Sequence, residues 1–246
     1  MAKPMWLIKQ QASNNSLDIY LYDDIQGDGE DWWTGEKIES ETSANHVKQV
    51  LEQAQNVSQI NLYINSYGGS VKEGLGIYNQ LKRQTCCQKT AYIDGFACSI
   101  ASVIAMACDK VVMGTNALMM IHHASMSVYG NAEELRKAAN DVEVIDQASC
   151  SSYLTKAGDK LNEETLKQLL DNQTWLNAKQ CLEYGLADEI AGVEDKNVAE
   201  AQQRFNMAIR QALENKSPGI KVPEQFNKNK TNAEKLMMAF KKKEVV

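Results

Sequence analysis

Alternation and helical spacing take turns along the middle of the chain. Leu17, Ile19 and Leu21 alternate with Asp18, Tyr20 and Tyr22, and Ile60, Leu62 and Ile64 repeat the pattern. Ala91 and Ile93 give it again, so three half-buried strands are predicted. Between them, Val47, Val50, Leu51 and Ala54 recur at helical spacing, as do Val71, Leu75, Tyr78 and Leu81. Ser70 and Glu73 stand at capping-box spacing before the second helix. Gly95 predicts a sharp turn after the third strand. Beyond it Ile100, Val103, Ile104 and Ala107 mark a buried helix among small residues, with Ser99 at its N-terminus. Strand–turn–helix thus occurs at 61–83 and again at 91–107. Lys110–Met113 and Ala117–Ile121 predict two more short strands, the second ending on His122.

From Gly130 the pattern turns helical. Asn131 and Glu134 open a long helix carrying Leu135, Ala138, Val142, Ile145 and Tyr153. Residues 162–170 predict a shorter helix, followed by a polar bend, Asp171 to Thr174. Asn177 and Gln180 cap a helix that Gly185 ends, and Leu186–Ile190 reads as a last strand. Past Gly192 the composition shifts: Val198, Phe205, Ile209 and Ala212 predict an amphipathic helix. From Lys216 onward eight Lys face three Glu, a solvated tail. These signals divide the chain into an arm (1–16), an α/β domain (17–192) and a helical, basic extension (193–246).

Composition narrows the function. The 246 residues are 43% hydrophobic and 24% charged with a net charge of −6, which argues against nucleic acid as the main partner. No apolar run reaches membrane-spanning length and the N-terminus has no signal-peptide core, so no membrane and a cytoplasmic location are expected. The six cysteines form no CxxC pair and no metal-ligand spacing, which fits reduced thiols and calls for no metal. His46 has no acid or cysteine partner pattern and reads as structural. Trp32–Trp33, in an acidic, glycine-rich loop, read as packing ahead of partner binding.

Three separated features agree on one chemistry. Ser99 stands at a helix start, where backbone N–H groups favour developing negative charge. Gly68–Gly69, between strand and helix, offer exposed backbone donors. His122 ends a strand as a candidate general base. Acyl transfer needs this set of nucleophile, base and oxyanion donors. Taken alone, Ser99 would be read as the N-cap of its helix.

The segments INLYINSYGGSV (60–71), DGFACSIASV (94–103), ALMMIHH (117–123) and WLNAKQCLEYGLAD (175–188) resemble the proteolytic subunit of the Clp proteases, in order and separation, over roughly half the chain. The acidic loop with Trp32–Trp33 and the form of residues 92–113 resemble a phage and prophage branch that processes capsid or scaffold proteins. The resemblance implies a spiral of strand–strand–helix units shared with the crotonase group, and serine endopeptidase activity on unfolded or extended protein segments without a cofactor. It implies Ser99 as nucleophile, His122 as base, and the Gly69 and Ile100 N–H groups as the oxyanion hole. Segments after Gly69 and after His122 would clamp an extended substrate by strand addition. The long helix from Asn131 matches the element joining stacked rings, so a homo-oligomeric ring is expected, with an ATP-driven unfoldase or phage head proteins as further partners.

Departures from the family pattern fall at four places. Tyr67 stands where a proline is usual. His123 adjoins His122, but strand alternation puts them on opposite faces and the motif selects His122. Cys98 adjoins Ser99 and reads as packing. For the triad's acid, alignment on Trp175–Leu176 places Gln173 at the family's aspartate, with Asp171 two residues earlier. Asp171 is expected to orient His122 because it alone supplies charge. Two rivals are a crotonase-like acyl-CoA enzyme, which needs no Ser–His pair, and a catalytically inactive assembly homologue.

Overall fold

The computed structural model describes residues 8–11, 15–54 and 57–192. They belong to the first of two compact units, residues 1–193; the second, 194–246, carries the predicted extension and lies outside the described residues. The frame is a mostly parallel sheet in the order β1 (Ile8–Gln11), β2 (Ser16–Leu21), β5 (Gln59–Ser66), β6 (Gln88–Cys98), β7 (Lys110–Met113) and β10 (Glu189–Ile190). Strand β1 falls inside the predicted arm and pairs antiparallel with β2. The acidic loop contains a small hairpin, β3 (Gly29–Glu30) with β4 (Lys37–Ile38), on which Trp32 and Trp33 are exposed. No helix among the described residues is long and apolar enough to cross a membrane.

The helices follow the predicted spacing. They are α1 (Ala44–Gln53), α2 (Val71–Arg83), α3 (Ile100–Ala105), α4 (Ala132–Ala157), α5 (Glu163–Asp171) and α6 (Ala178–Glu183). Every residue of α3 is buried, because it packs between the sheet, α2 and α4. Gly74 on α2 permits this: a Cβ there would lie 2.1 Å from Ile100 Cγ1. Asn131–Glu134 and Asn177–Gln180 form complete capping boxes, and Gly185 takes a positive φ of 73° after α6.

Ser70 and Glu73 make only half of the expected box. Ser70 Oγ accepts from Glu73 N, but the Glu73 carboxylate turns away and accepts from Ala44 N, the first amide of α1, at 2.8 Å. One acid thereby ties the start of α1 to α2. Glu73→Ala should destabilise the fold by about 1–2 kcal/mol, since it strands a part-buried helix-end amide. A urea midpoint unchanged from the parent protein would refute that role.

Gly95 does not make a turn. Strand β6 runs straight through it, and the irregularity lies in the pairing: Ile64 faces Ile93, while Ser66 faces Ala97. In the gap, Asn65 Oδ1 accepts from Phe96 N, and a Cβ on Gly95 would lie 2.5 Å from that oxygen. The bulge is where β6 leaves β7, which it pairs over residues 90–93, and takes up β8 (Leu118–Ile121) over residues 96–98. Strand β9 (Thr174–Asn177), too short to show a period in sequence, pairs antiparallel with β8 and completes this branch. The ends of β6 and β8, which carry Ser99 and His122, are therefore neighbours.

Candidate active site

Ser99 follows β6 directly and opens α3 with φ 53° and ψ −130°, a conformation rare for a residue with a side chain. Its N–H donates to Met120 O on β8 at 2.8 Å, which holds the elbow against the neighbouring strand. Its Oγ makes no capping bond to α3. Instead Oγ stands 2.8 Å from His122 Nε2. The N-cap reading of Ser99 therefore does not describe this side chain: the backbone is bent so that the hydroxyl faces a base.

The donors lie beside it. Gly68 and Gly69 have φ values of 100° and 142°, and a Cβ on Gly68 would meet Ser99 Cβ at 2.8 Å and Ile100 N at 3.3 Å. The glycine turn is thus pressed against the start of α3. Ile25 bridges it from the other side, donating to Gly68 O and accepting from Ser70 N, both at 2.7 Å. In this parallel bridge the Gly69 N–H points away from Ile25. The Ile100 N–H is the first amide of α3 and has no carbonyl to reach within the helix. Two backbone donors are left next to Ser99 for an oxyanion.

Behind the elbow, Ser102 Oγ lies 2.6 Å from both Ser99 O and Tyr153 Oη, fixing the turn to α4. Cys98 is fully buried, and burial pushes its thiol up to about 11, so it stays a neutral packing group.

The two histidines point opposite ways, as alternation requires. His122 goes to Ser99, whereas His123 goes to a pair of acids: Nδ1 lies 2.5 Å from Asp146 Oδ2 and Nε2 lies 2.9 Å from Asp171 Oδ1. This corrects the expected place of Asp171. It is the last residue of α5, and its carboxylate reaches His123, not His122. Gln173, at φ 48°, is exposed, and neither it nor Asp171 bonds His122 among the described residues. The sequence reading missed Asp146 altogether. A signal existed: Asp146 sits four residues after Val142 and seven before Tyr153, an acid on the stripe that α4 turns inward.

The clamp segments differ too. After Gly69 the chain enters α2 at Val71, leaving no strand there, and residues 122–131 have no regular secondary structure. That second segment carries exposed Met126, Val128 and Tyr129.

The ends of three strands, β5, β6 and β8, thus bring a glycine turn, a serine and a histidine together in one α/β frame. The family model described as Clp protease matches residues 31–194, and the chain belongs to that family. Among curated relatives, ATP-dependent Clp protease proteolytic subunit 1 of Streptomyces avermitilis is 29% identical over 173 residues, covering 68% of this chain and 78% of its own. The membership supports a serine peptidase.

Proposed function

We propose that this chain is a serine endopeptidase that cleaves extended or unfolded protein segments. The observation that carries the reading is the 2.8 Å contact between Ser99 Oγ and His122 Nε2, made by a serine whose hydroxyl is not used as a cap. In this reading Ser99 Oγ attacks the scissile carbonyl as His122 takes its proton, and the carbonyl oxygen becomes an oxyanion facing the Gly69 and Ile100 N–H groups. Collapse expels the amine, which receives the proton from His122, and water then releases the acyl group by the same route in reverse. Asp171 enters through His123, so the reacting pair is a dyad.

The experiment is cleavage of a casein or peptide substrate together with labelling by a fluorophosphonate. Labelling confined to Ser99, and lost in His122→Ala, supports the peptidase. Undiminished hydrolysis in Ser99→Ala would point to crotonase-like chemistry, and an unlabelled, inert chain to an assembly homologue.

Assembly belongs to the same reading. The exposed segment Met126–Tyr129 and the partly exposed face of α4, with Leu135 and Val144 in solvent, suit a homo-oligomeric ring enclosing its sites. Light scattering should give a mass many times the 27.4 kDa of one chain. A fully active monomer would overturn this. Delivery of substrate by an ATP-driven unfoldase, a cytoplasmic location, and phage or prophage head proteins as substrates complete the proposal. The last rests on the acidic Trp32–Trp33 loop, and neighbouring portal and capsid genes are its test.

A further inference from the structure

Beside the Ser99–His122 pair, a second cluster of titratable groups is centred on His123. Both of its ring nitrogens face carboxylate oxygens, Asp146 on α4 and Asp171 at the end of α5. A carboxylate only accepts, so both bonds form only when both nitrogens carry hydrogen, which requires the imidazolium. A neutral ring would turn a lone pair toward one acid. The other oxygen of Asp146 accepts from Ala124 N at 2.9 Å, so this one carboxylate holds two consecutive residues after His122. The cluster opens on a cleft of about 900 Å³ between α4 and α5.

We propose that protonated His123 is a positioning residue for the serine–histidine site, tying α4 and the α5–β9 bend to the end of β8 and so fixing the backbone from which His122 reaches Ser99. The inference rests on the dyad reading given above and adds to it a built-in pH response. Asp146 from α4 and Asp171 from α5 face His123, Cys150 lies against Asp146, and Glu143, Glu163 and Lys167 line the same cleft. Burial of Cys150 pushes its thiol up to about 11, so it adds no charge near neutrality. Burial opposes the charge on His123, but the bonds to Asp146 and Asp171 outweigh it and raise its pKa above that of an ordinary imidazole. The sign follows: the clamp is complete below the ordinary imidazole range and is lost as pH rises through the raised pKa. His123 therefore sets the alkaline limb of activity.

The test has two arms on the full chain, which has only three histidines: His46, His122 and His123. In the first, imidazole proton resonances of the Ser99→Ala protein are followed against pH, with His46→Gln and His123→Gln as assignments. His123 should titrate above the ordinary histidine range, and Asp146→Asn should bring it down. Titration of His123 at or below that range overturns the clamp, whatever the kinetics. In the second, the rate of Ser99 labelling by a fluorophosphonate is measured against pH. His123→Gln, which cannot titrate, should label about tenfold more slowly than the parent protein on the acid side of the His123 titration and lack the alkaline fall seen in the parent. Labelling with an unchanged alkaline fall overturns the clamp alone. A parent chain that is never labelled overturns the dyad reading, and this inference with it.

Discussion

Ser99→Ala should lower kcat for peptide cleavage on the order of 10⁴- to 10⁶-fold while leaving the fold intact. In the proposed mechanism the loss is that of the group that forms the acyl bond, so binding of substrate should be unaffected and KM should change little. Stability should hold because Oγ makes no cap bond and its partner is His122, itself part-exposed. A companion variant sharpens the expectation. Ser99 has φ 53°, a conformation that disfavours any side chain and that glycine accepts freely. Ser99→Gly should therefore be as inactive as Ser99→Ala yet more stable than it by about 1–2 kcal/mol. Measured kcat and thermal unfolding decide both halves. Equal stability of the two variants would deny that the elbow is strained, and parental turnover in either would remove Ser99 from the chemistry.

Gly69→Ala should be the most damaging glycine substitution for fold and activity together. A Cβ there would lie 2.2 Å from the carbonyl oxygen of Ile25 and 2.8 Å from its nitrogen, and both are backbone atoms with no rotamer to change. Relief requires breaking the bridge, which forfeits the bonds from Ile25 N to Gly68 O and from Ser70 N to Ile25 O. Added to the positive φ of 142°, the expected destabilisation is roughly 3–5 kcal/mol. Whatever folds would have the Gly69 N–H displaced from the oxyanion position, lowering kcat by about 10²- to 10³-fold. Gly158→Ala is the control, since Gly158 also has positive φ, 58°, but a Cβ there meets nothing within 4 Å. It should lose only about 1 kcal/mol and keep its activity. Urea midpoints that coincide for the two variants would contradict the account.

Much of the frame could be read before the structure, because its strands carry aliphatic residues on one face and polar or tyrosine residues on the other. Leu17, Ile19 and Leu21, or Ile60, Leu62 and Ile64, alternate with polar and tyrosine residues, and period two survives in such strands. The four residues of β9 have no room for a period. What the sequence misplaced was settled by groups distant along the chain. A glycine in a turn and a glycine at a bulge look alike, and the difference at Gly95 is the side chain of Asn65 on the neighbouring strand. Glu73 sits where a capping box puts it, but the amide of Ala44, on another helix, competes for its carboxylate and wins. At the site, Ser99, His122 and the glycine turn were legible from local motifs, and so was the opposite facing of His123. Which acid meets which histidine was not, for Asp146 comes from a helix far along the chain and the backbone at Gln173 sets where the α5–β9 bend runs.

Strand β9 gives this arrangement an order in time. Residues 174–177 pair with 118–121, so the strand that delivers the base lies between β6 and a segment made much later. Asp171, the second anchor of His123, is also made late. A ribosome that has passed both Ser99 and His122 has made every reacting group but not the pieces that hold them in place. Synthesis runs from the N-terminus, so the pairing of β8 with β9 is complete only once Asn177 has been made. A chain that stopped before Thr174 would leave the outer edge of β8, the strand that ends on His122, without its partner.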